Sequence, residues 1–298
     1  MMNPDAVILC PGQGAQAVGM GRGLIDQPAA REIFDQADRV LGFELSKLCF
    51  EGPEDHLNQT DMAQPAIFTV SVACHAAARN GHLPGGSVAC AGLSLGEYTA
   101  LHLAGVFDFE TGLKLVAQRG KFMQEAAQAT PSTMVAVLGG DEPSVTRLCE
   151  ESARGDVLVP ANFNAPGQIV VSGSKEACAR FADAASASGL RAVPLTVAGA
   201  FHSPIMQPGA DRMRAELDRV TFRTPHATVY SNVTARPHED VDSIKRLLVD
   251  QIVKPVRWEQ TMALLAHEPI KFIELAPGRV LAGLLKKQNR RADVVSLG

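Results

Sequence analysis

The sequence is short of charge, and what charge it carries is not basic. Asp, Glu, Lys and Arg make up 20% of the 298 residues, and 28 basic against 32 acidic side chains leave a formal net charge of −4. A whole-surface nucleic-acid binder would show a basic excess, so that class is excluded. An apolar content of 46% excludes a disordered chain. Long unbroken apolar runs are missing as well. The segments 62–78, 80–96 and 192–210 hold no Asp, Glu, Lys or Arg, yet each is interrupted, by Pro65, by Pro84, Gly85 and Gly86, and by Pro194, Gly199, Pro204 and Pro208. A spanning helix needs about 20 mostly apolar residues, so no membrane span is expected. No basic stretch precedes an apolar one in MMNPDAVILCPGQG, so no secretory signal is expected. Closely spaced cysteines are also absent. Cys10, Cys49, Cys74, Cys90, Cys149 and Cys178 are never nearer than 90 − 74 = 16 residues, which excludes a CxxC redox or zinc pair. A reduced, cytoplasmic chain is expected. No HExxH occurs, since His267-Glu268-Pro269 breaks the helix such a zinc motif needs, so no metal is expected.

What is present is an alternation of strand and helix patterns. Ala6–Cys10 is a continuous apolar run ending at Pro11-Gly12, the mark of a strand buried on both faces. Helices are expected at about 26–41 and 65–80, the second opening on Pro65. A strand over 87–91 leads through a Gly-rich turn to a short helix over 97–104, and a longer helix follows over 110–128. From 132 the order becomes strand 134–138, helix 141–154, strands 157–159 and 169–172 joined across NFNAPGQ, helix 174–188 and strand 191–197. That βαββαβ order is ferredoxin-like. The fold class is therefore α/β: a mostly parallel sheet in a large unit, 1–131 and 199–298, with a self-contained ferredoxin-like unit inserted at 132–198. The large unit resumes with a helix at 205–220, a strand near 228–231, helices at 243–253 and 259–266, a strand at 270–275 and a last helix from about 278.

Gly92-Leu93-Ser94-Leu95-Gly96 matches G-x-S-x-G between a strand and a helix pattern. A nucleophile on so tight a turn needs small residues two positions to either side. The N–H of Leu95 and the start of the helix would face the oxyanion of an acyl transfer. The bland reading is a Gly-rich packing turn with a bystander serine. Of eight histidines, His56, His82, His226, His238 and His267 read as surface, and His75 and His102 as helix packing. His202 lies in a charge-poor loop between a strand and a helix, where α/β proteins place their chemistry, although a structural loop histidine would look the same. Gly12-Gln13-Gly14-Ala15-Gln16-Ala17 fits a dinucleotide-binding G-x-G-x-x-A, but Pro11 sits in the turn and no acidic strand end follows. The rival reading packs this loop beside Ser94, with the N–H of Gln13 as a second oxyanion donor.

Together these segments resemble the malonyl-CoA:acyl-carrier-protein transacylases, the discrete acyltransferases of fatty-acid synthesis. The resemblance rests on PGQGAQAVGMG (11–21), QPA (64–66), GLSLGEYTAL (92–101), QRGKFMQEA (118–126), NFNAPGQIVVSG (162–173), AFHSPIM (200–206), QIVKPVRW (251–258) and ELAPGRVL (274–281). It implies Ser94 as acylated nucleophile, His202 as general acid/base oriented by the backbone carbonyl of Gln251, and an oxyanion hole from the N–H groups of Gln13 and Leu95. It implies Arg119 as the holder of the malonyl carboxylate, and Gln64, Asn162 and Asn164 as pocket lining. A helix arginine such as Arg119 is otherwise an ordinary exposed side chain, and an Asn-rich segment such as 162–164 is otherwise turn chemistry. Phe201 resembles the malonyl-selective form of related polyketide acyltransferases, so malonyl is expected over methylmalonyl. Leu93 stands where many relatives carry His.

The implied substrates are malonyl-CoA and an acidic acyl carrier protein, with no cofactor beyond the thioester. Basic residues Lys254, Arg257, Arg279, Lys286, Lys287, Arg290 and Arg291 could draw such anions while the total charge stays negative, although 286–291 reads equally well as a solvated helix end that favours cations. A trans-acting polyketide acyltransferase shares this chemistry, and a thioester hydrolase would share all but the use of Arg119.

Overall fold

The computed structural model describes residues 4–78, 87–266 and 270–297. Pro84, Gly85, Gly86, His82, His267 and the end of the helix expected over 65–80 lie outside the described residues. Among the described residues ten strands form two five-stranded sheets: β1 (Ala6–Cys10), β2 (Val88–Gly92), β3 (Ser132–Leu138), β4 (Leu158–Ala165), β5 (Gln168–Ser174), β6 (Arg191–Pro194), β7 (Thr228–Val229), β8 (Val256–Arg257), β9 (Lys271–Glu274) and β10 (Asp293–Ser296).

The first sheet runs β10-β9-β1-β2-β7, and every pairing in it is parallel. β1 is central and buried along its whole length, which is why its sequence is an unbroken apolar run. Successive side chains of a strand point to opposite faces. Accordingly, Ile8 and Cys10 pack with Phe68, Tyr98 and Leu101 on one side, while Val7 and Leu9 pack with Trp258, Phe272 and Leu281 on the other. The functional turn leaves this sheet at the C-terminal end of β2.

The second sheet runs β6-β3-β5-β4-β8, and its first four strands are antiparallel in the ferredoxin-like order. Its own core joins Val137, Phe163, Val171 and Phe181. The unit is not closed on itself, contrary to the sequence expectation. β8 comes from the resumed chain and pairs parallel with β4 at Asn162↔Val256 and Phe163↔Arg257. An otherwise open edge is thereby covered.

Two further expectations need correction. Pro65 does not open its helix, which spans Thr60–Ala78. The proline removes one N–H near the start, and burial of Ala63–Cys74 around it outweighs that loss. Asn162 and Asn164 do not lie in a turn either. They belong to β4, which runs to Ala165 with register shifts at Pro160/Asn162 and Phe163/Ala165. Such bulges re-aim side chains, an outcome that local turn propensity could not reveal. Among the described residues no helix is long and apolar enough to cross a membrane.

Candidate active site

The turn after β2 is as tight as its glycines suggest. A Cβ on Gly92 would lie 1.9 Å from the carbonyl carbon of Gly96, and one on Gly96 would lie 2.1 Å from the Cys10 oxygen. Between them Ser94 takes φ 52°, a left-handed backbone that costs about 1–3 kcal/mol and survives only where the surroundings enforce it. Asn232, in the loop after the neighbouring strand β7, supplies that enforcement. Its Oδ1 accepts from the Ser94 N–H at 2.6 Å, and its Nδ2 donates to the Gly92 carbonyl at 2.7 Å.

His202 is also left-handed, at φ 56°. Its loop is pinned by the second sheet: Ser132 Oγ accepts from the Ala200 N–H at 3.1 Å, and Ser172 Oγ donates to the Phe201 carbonyl at 2.6 Å. Nε2 of His202 then lies 2.9 Å from Ser94 Oγ, and Nδ1 lies 2.6 Å from the carbonyl oxygen of Gln251. The carbonyl can only accept, so Nδ1 carries the proton and Nε2 presents its lone pair to the serine. Burial, followed by the charge of Arg119, pushes His202 down to about 4, while the Gln251 bond works in the opposite direction. The ring is therefore neutral at ordinary pH.

Arg119 is fixed by the helix Phe109–Ala129, which starts at Asp108, whose side chain accepts from the Thr111 N–H at 2.8 Å. Gly112, Leu115, Val116, Arg119, Gly120 and Met123 recur at three- and four-residue spacing on its buried face. Arg119 is thus 1% exposed, not a surface arginine. A Cβ on Gly120 would come within 2.8 Å of the Thr60 carbonyl, so the two helices approach closely enough to bring Gln64 to Arg119. Nη1 donates to Gln64 Oε1 at 2.6 Å, and Nη2 donates to Gln251 Oε1 at 2.8 Å and to Ser94 Oγ at 3.0 Å. Burial holds the guanidinium below its usual value.

These groups open onto a cavity of about 630 Å³. Gln13, Gln64, Ser94, Arg119, Asn162, Asn164, Phe201 and His202 line it, together with Leu93. Gln251 and Leu95 stand behind the wall, fully buried. A Cβ on Gly12 would lie 2.4 Å from the Leu93 oxygen, so the loop after β1 packs directly on the turn that holds Ser94. Among the described residues no protein acceptor engages the N–H of Gln13 or Leu95. Of the basic residues singled out in the sequence, Lys254 pairs with Asp250 at 2.9 Å and Arg257 with Glu142 at 3.3 Å.

The Acyl transferase domain family matches residues 7–297. The chain belongs to this family. Among relatives of this acyltransferase, the malonyl CoA-acyl carrier protein transacylase of Escherichia coli K12 is 42% identical over 93% of this chain and 90% of its own. The mitochondrial malonyl-CoA-acyl carrier protein transacylase of Homo sapiens is 39% identical over 96% of this chain and 78% of its own. The solved malonyl CoA-acyl carrier protein transacylase of Coxiella burnetii superposes on the acyltransferase with a TM-score of 0.95 at 37% identity, covering 99% of this chain and 94% of its own. A malonyl-transacylase solved in complex with a type II PKS acyl-carrier protein gives 0.94 at 38%, covering 98% and 95%.

Sequence reasoning missed three members of the site. Asn232 and Glu97 are buried beneath the turn, and His238, read as surface, has a side chain only 1% exposed and lies 2.7 Å from Glu97 Oε1. One signal was available for Glu97: it is the first charge after the charge-poor segment 80–96.

Proposed function

We propose that this acyltransferase moves a malonyl group from malonyl-CoA to the phosphopantetheine thiol of an acyl carrier protein, through an ester on Ser94. The observation that carries the proposal is the convergence of a neutral histidine and a buried, solvent-excluded guanidinium on one serine oxygen. Ser94 Oγ attacks the thioester carbonyl as His202 Nε2 takes its proton. The N–H groups of Gln13 and Leu95 receive the developing oxyanion. The C–S bond then breaks, and coenzyme A leaves with the proton from His202. The carrier thiol gives its proton to His202, attacks the malonyl-serine ester and releases Ser94, a ping-pong sequence. A guanidinium grips a carboxylate through two parallel hydrogen bonds, so Arg119 selects a charged acyl group and holds it away from water.

Phe201, 6% exposed and set against the cavity, leaves little room for an α-methyl group, which favours malonyl over methylmalonyl. Lys286, Lys287, Arg290 and Arg291 at the end of the helix Val280–Gln288 offer an acidic carrier a basic approach. Lys287 Nζ donates to Gln168 Oε1 at 2.5 Å, which places it beside the turn between β4 and β5. The similarity to a malonyl-transacylase bound to a type II PKS carrier favours a second reading in which the carrier serves a polyketide pathway. The proposal places the chain in the cytoplasm, where its six free, buried cysteines stay reduced.

Intact-mass analysis after incubation with malonyl-CoA tests the proposal. One malonyl adduct is expected on the wild type and none on Ser94→Ala. No adduct on the wild type overturns it. Transfer rates to fatty-acid and polyketide carriers then separate the two readings.

A further inference from the structure

Glu97 is fully buried one turn beyond the nucleophile, and the reaction steps above make no use of it. Donors surround its carboxylate. Gln251 Nε2 and the Asn232 N–H donate to Oε2 at 2.7 and 3.1 Å, and His238 Nε2 lies 2.7 Å from Oε1. The Gln251 carboxamide is thus held between two opposite demands. Its Nε2 donates to Glu97 and, at 3.0 Å, to the Ser94 carbonyl, while its Oε1 accepts from Arg119 Nη2 at 2.8 Å. A carboxylate accepts and a guanidinium donates, so only one of the two amide orientations satisfies both neighbours. The flipped amide would set oxygen against oxygen at Glu97 and N–H against N–H at Arg119. The guanidinium depends on that choice. Its Nε has no partner among the described residues, and apart from Ser94 Oγ the fork is held by two amide oxygens, those of Gln64 and Gln251.

We propose that Glu97 is a positioning residue, which locks the Gln251 carboxamide with its oxygen toward Arg119 and so aims the guanidinium at the acyl carboxylate. Preference for a charged acyl group then depends on a side chain that never touches substrate. The inference rests on the role given to Arg119 above, and its test keeps the two apart.

Ser94 loading is timed by intact mass with malonyl-CoA and, in parallel, with an uncharged fluorophosphonate that needs Ser94 and His202 but no carboxylate clamp. Glu97→Ala is expected to slow malonyl loading about tenfold or more relative to phosphonate labelling, the scale of one charge-assisted hydrogen bond. Glu97→Gln keeps one acceptor oxygen and recovers part of the loss. Gln251→Met, which retains the backbone carbonyl facing His202, serves as a second variant and shows the same selective slowing. An unchanged ratio in Glu97→Ala, or parallel loss of both labels, overturns the proposal. Malonyl loading that survives Arg119→Ala overturns the clamp instead.

Discussion

Arg119 Nη2 lies 3.0 Å from Ser94 Oγ, the same oxygen that His202 Nε2 meets at 2.9 Å. The serine oxygen therefore has its base on one side and a fixed cation on the other. In the free site the cation lowers the basicity of His202. On the proposed mechanism a malonyl carboxylate on Arg119 would cancel that charge, so that His202 would become a stronger base when the acyl group is in place.

Arg119→Ala should slow malonyl loading by on the order of a hundredfold or more, since a buried bidentate, charge-assisted contact disappears. Acetyl loading, which needs no clamp, should change far less. Arg119→Lys should fall between, because an ammonium keeps the charge but not the fork. Single-turnover loading with the two thioesters measures all three variants. Equal losses on malonyl and acetyl would remove the clamp from the mechanism.

His202→Ala should lower transfer by about 10²–10⁴-fold, the usual contribution of a positioned base. The protein should still bind malonyl-CoA, because Arg119 takes its bonds from Gln64 and Gln251 independently of the ring. Calorimetric titration against steady-state transfer separates binding from chemistry. A variant that loses binding in step with rate would show the histidine to be a structural prop.

The pH profiles should reveal the coupling between Arg119 and His202. His202 is held near 4 in the free site. The acid limb of kcat/KM should therefore lie low, and that of kcat, set in the complex, at higher pH. Coincident limbs would exclude the coupling. Folding stability follows the same ring. Its folded value lies below the unfolded value of about 6.5, so the unfolded chain binds this proton first on acidification. The contribution is complete above about 6.5 and is lost as the pH falls towards about 4, which thermal unfolding across that window would register.

Glycine substitutions should differ sharply with place. Gly92→Ala and Gly96→Ala each drive a Cβ into backbone, at 1.9 and 2.1 Å, and should cost several kcal/mol or prevent folding. Gly283, exposed within the helix Val280–Gln288 with nothing within 4 Å of a Cβ, should gain about 0.5–1 kcal/mol as Ala. Melting temperatures of the three variants decide it, and a stable Gly92→Ala protein would contradict the packing of the turn.

Much of the fold was legible because its signals are local. The β1 run marks a strand covered on both faces, and the βαββαβ order marks the second sheet. Strands β8 and β10 were not legible, since a two-residue bridge and a short edge strand carry little pattern of their own. Asn162 and Asn164 differ from expectation for a related reason: asparagines favour turns locally, whereas the β4 bulges let both sit in a strand that faces the cavity.

The sequence by itself determined the G-x-S-x-G turn, because hard-sphere contact two residues either side of Ser94 admits only glycine there. It did not determine the face of Arg119, since an arginine in a helix pattern reads as exposed and only packing against the helix Thr60–Ala78 buries it. Tertiary structure alone decided how His202 is oriented and how Arg119 is aimed. The group that orients His202 is the backbone carbonyl of Gln251, an atom every residue possesses, so composition and spacing do not mark it and only the family resemblance pointed to it. The bonds that aim Arg119 join Gln64, Gln251, Glu97 and Asn232 from four separate segments. Buried polar groups must find partners wherever folding brings them together, and those partners are set by the packing of the core, not by distance along the chain.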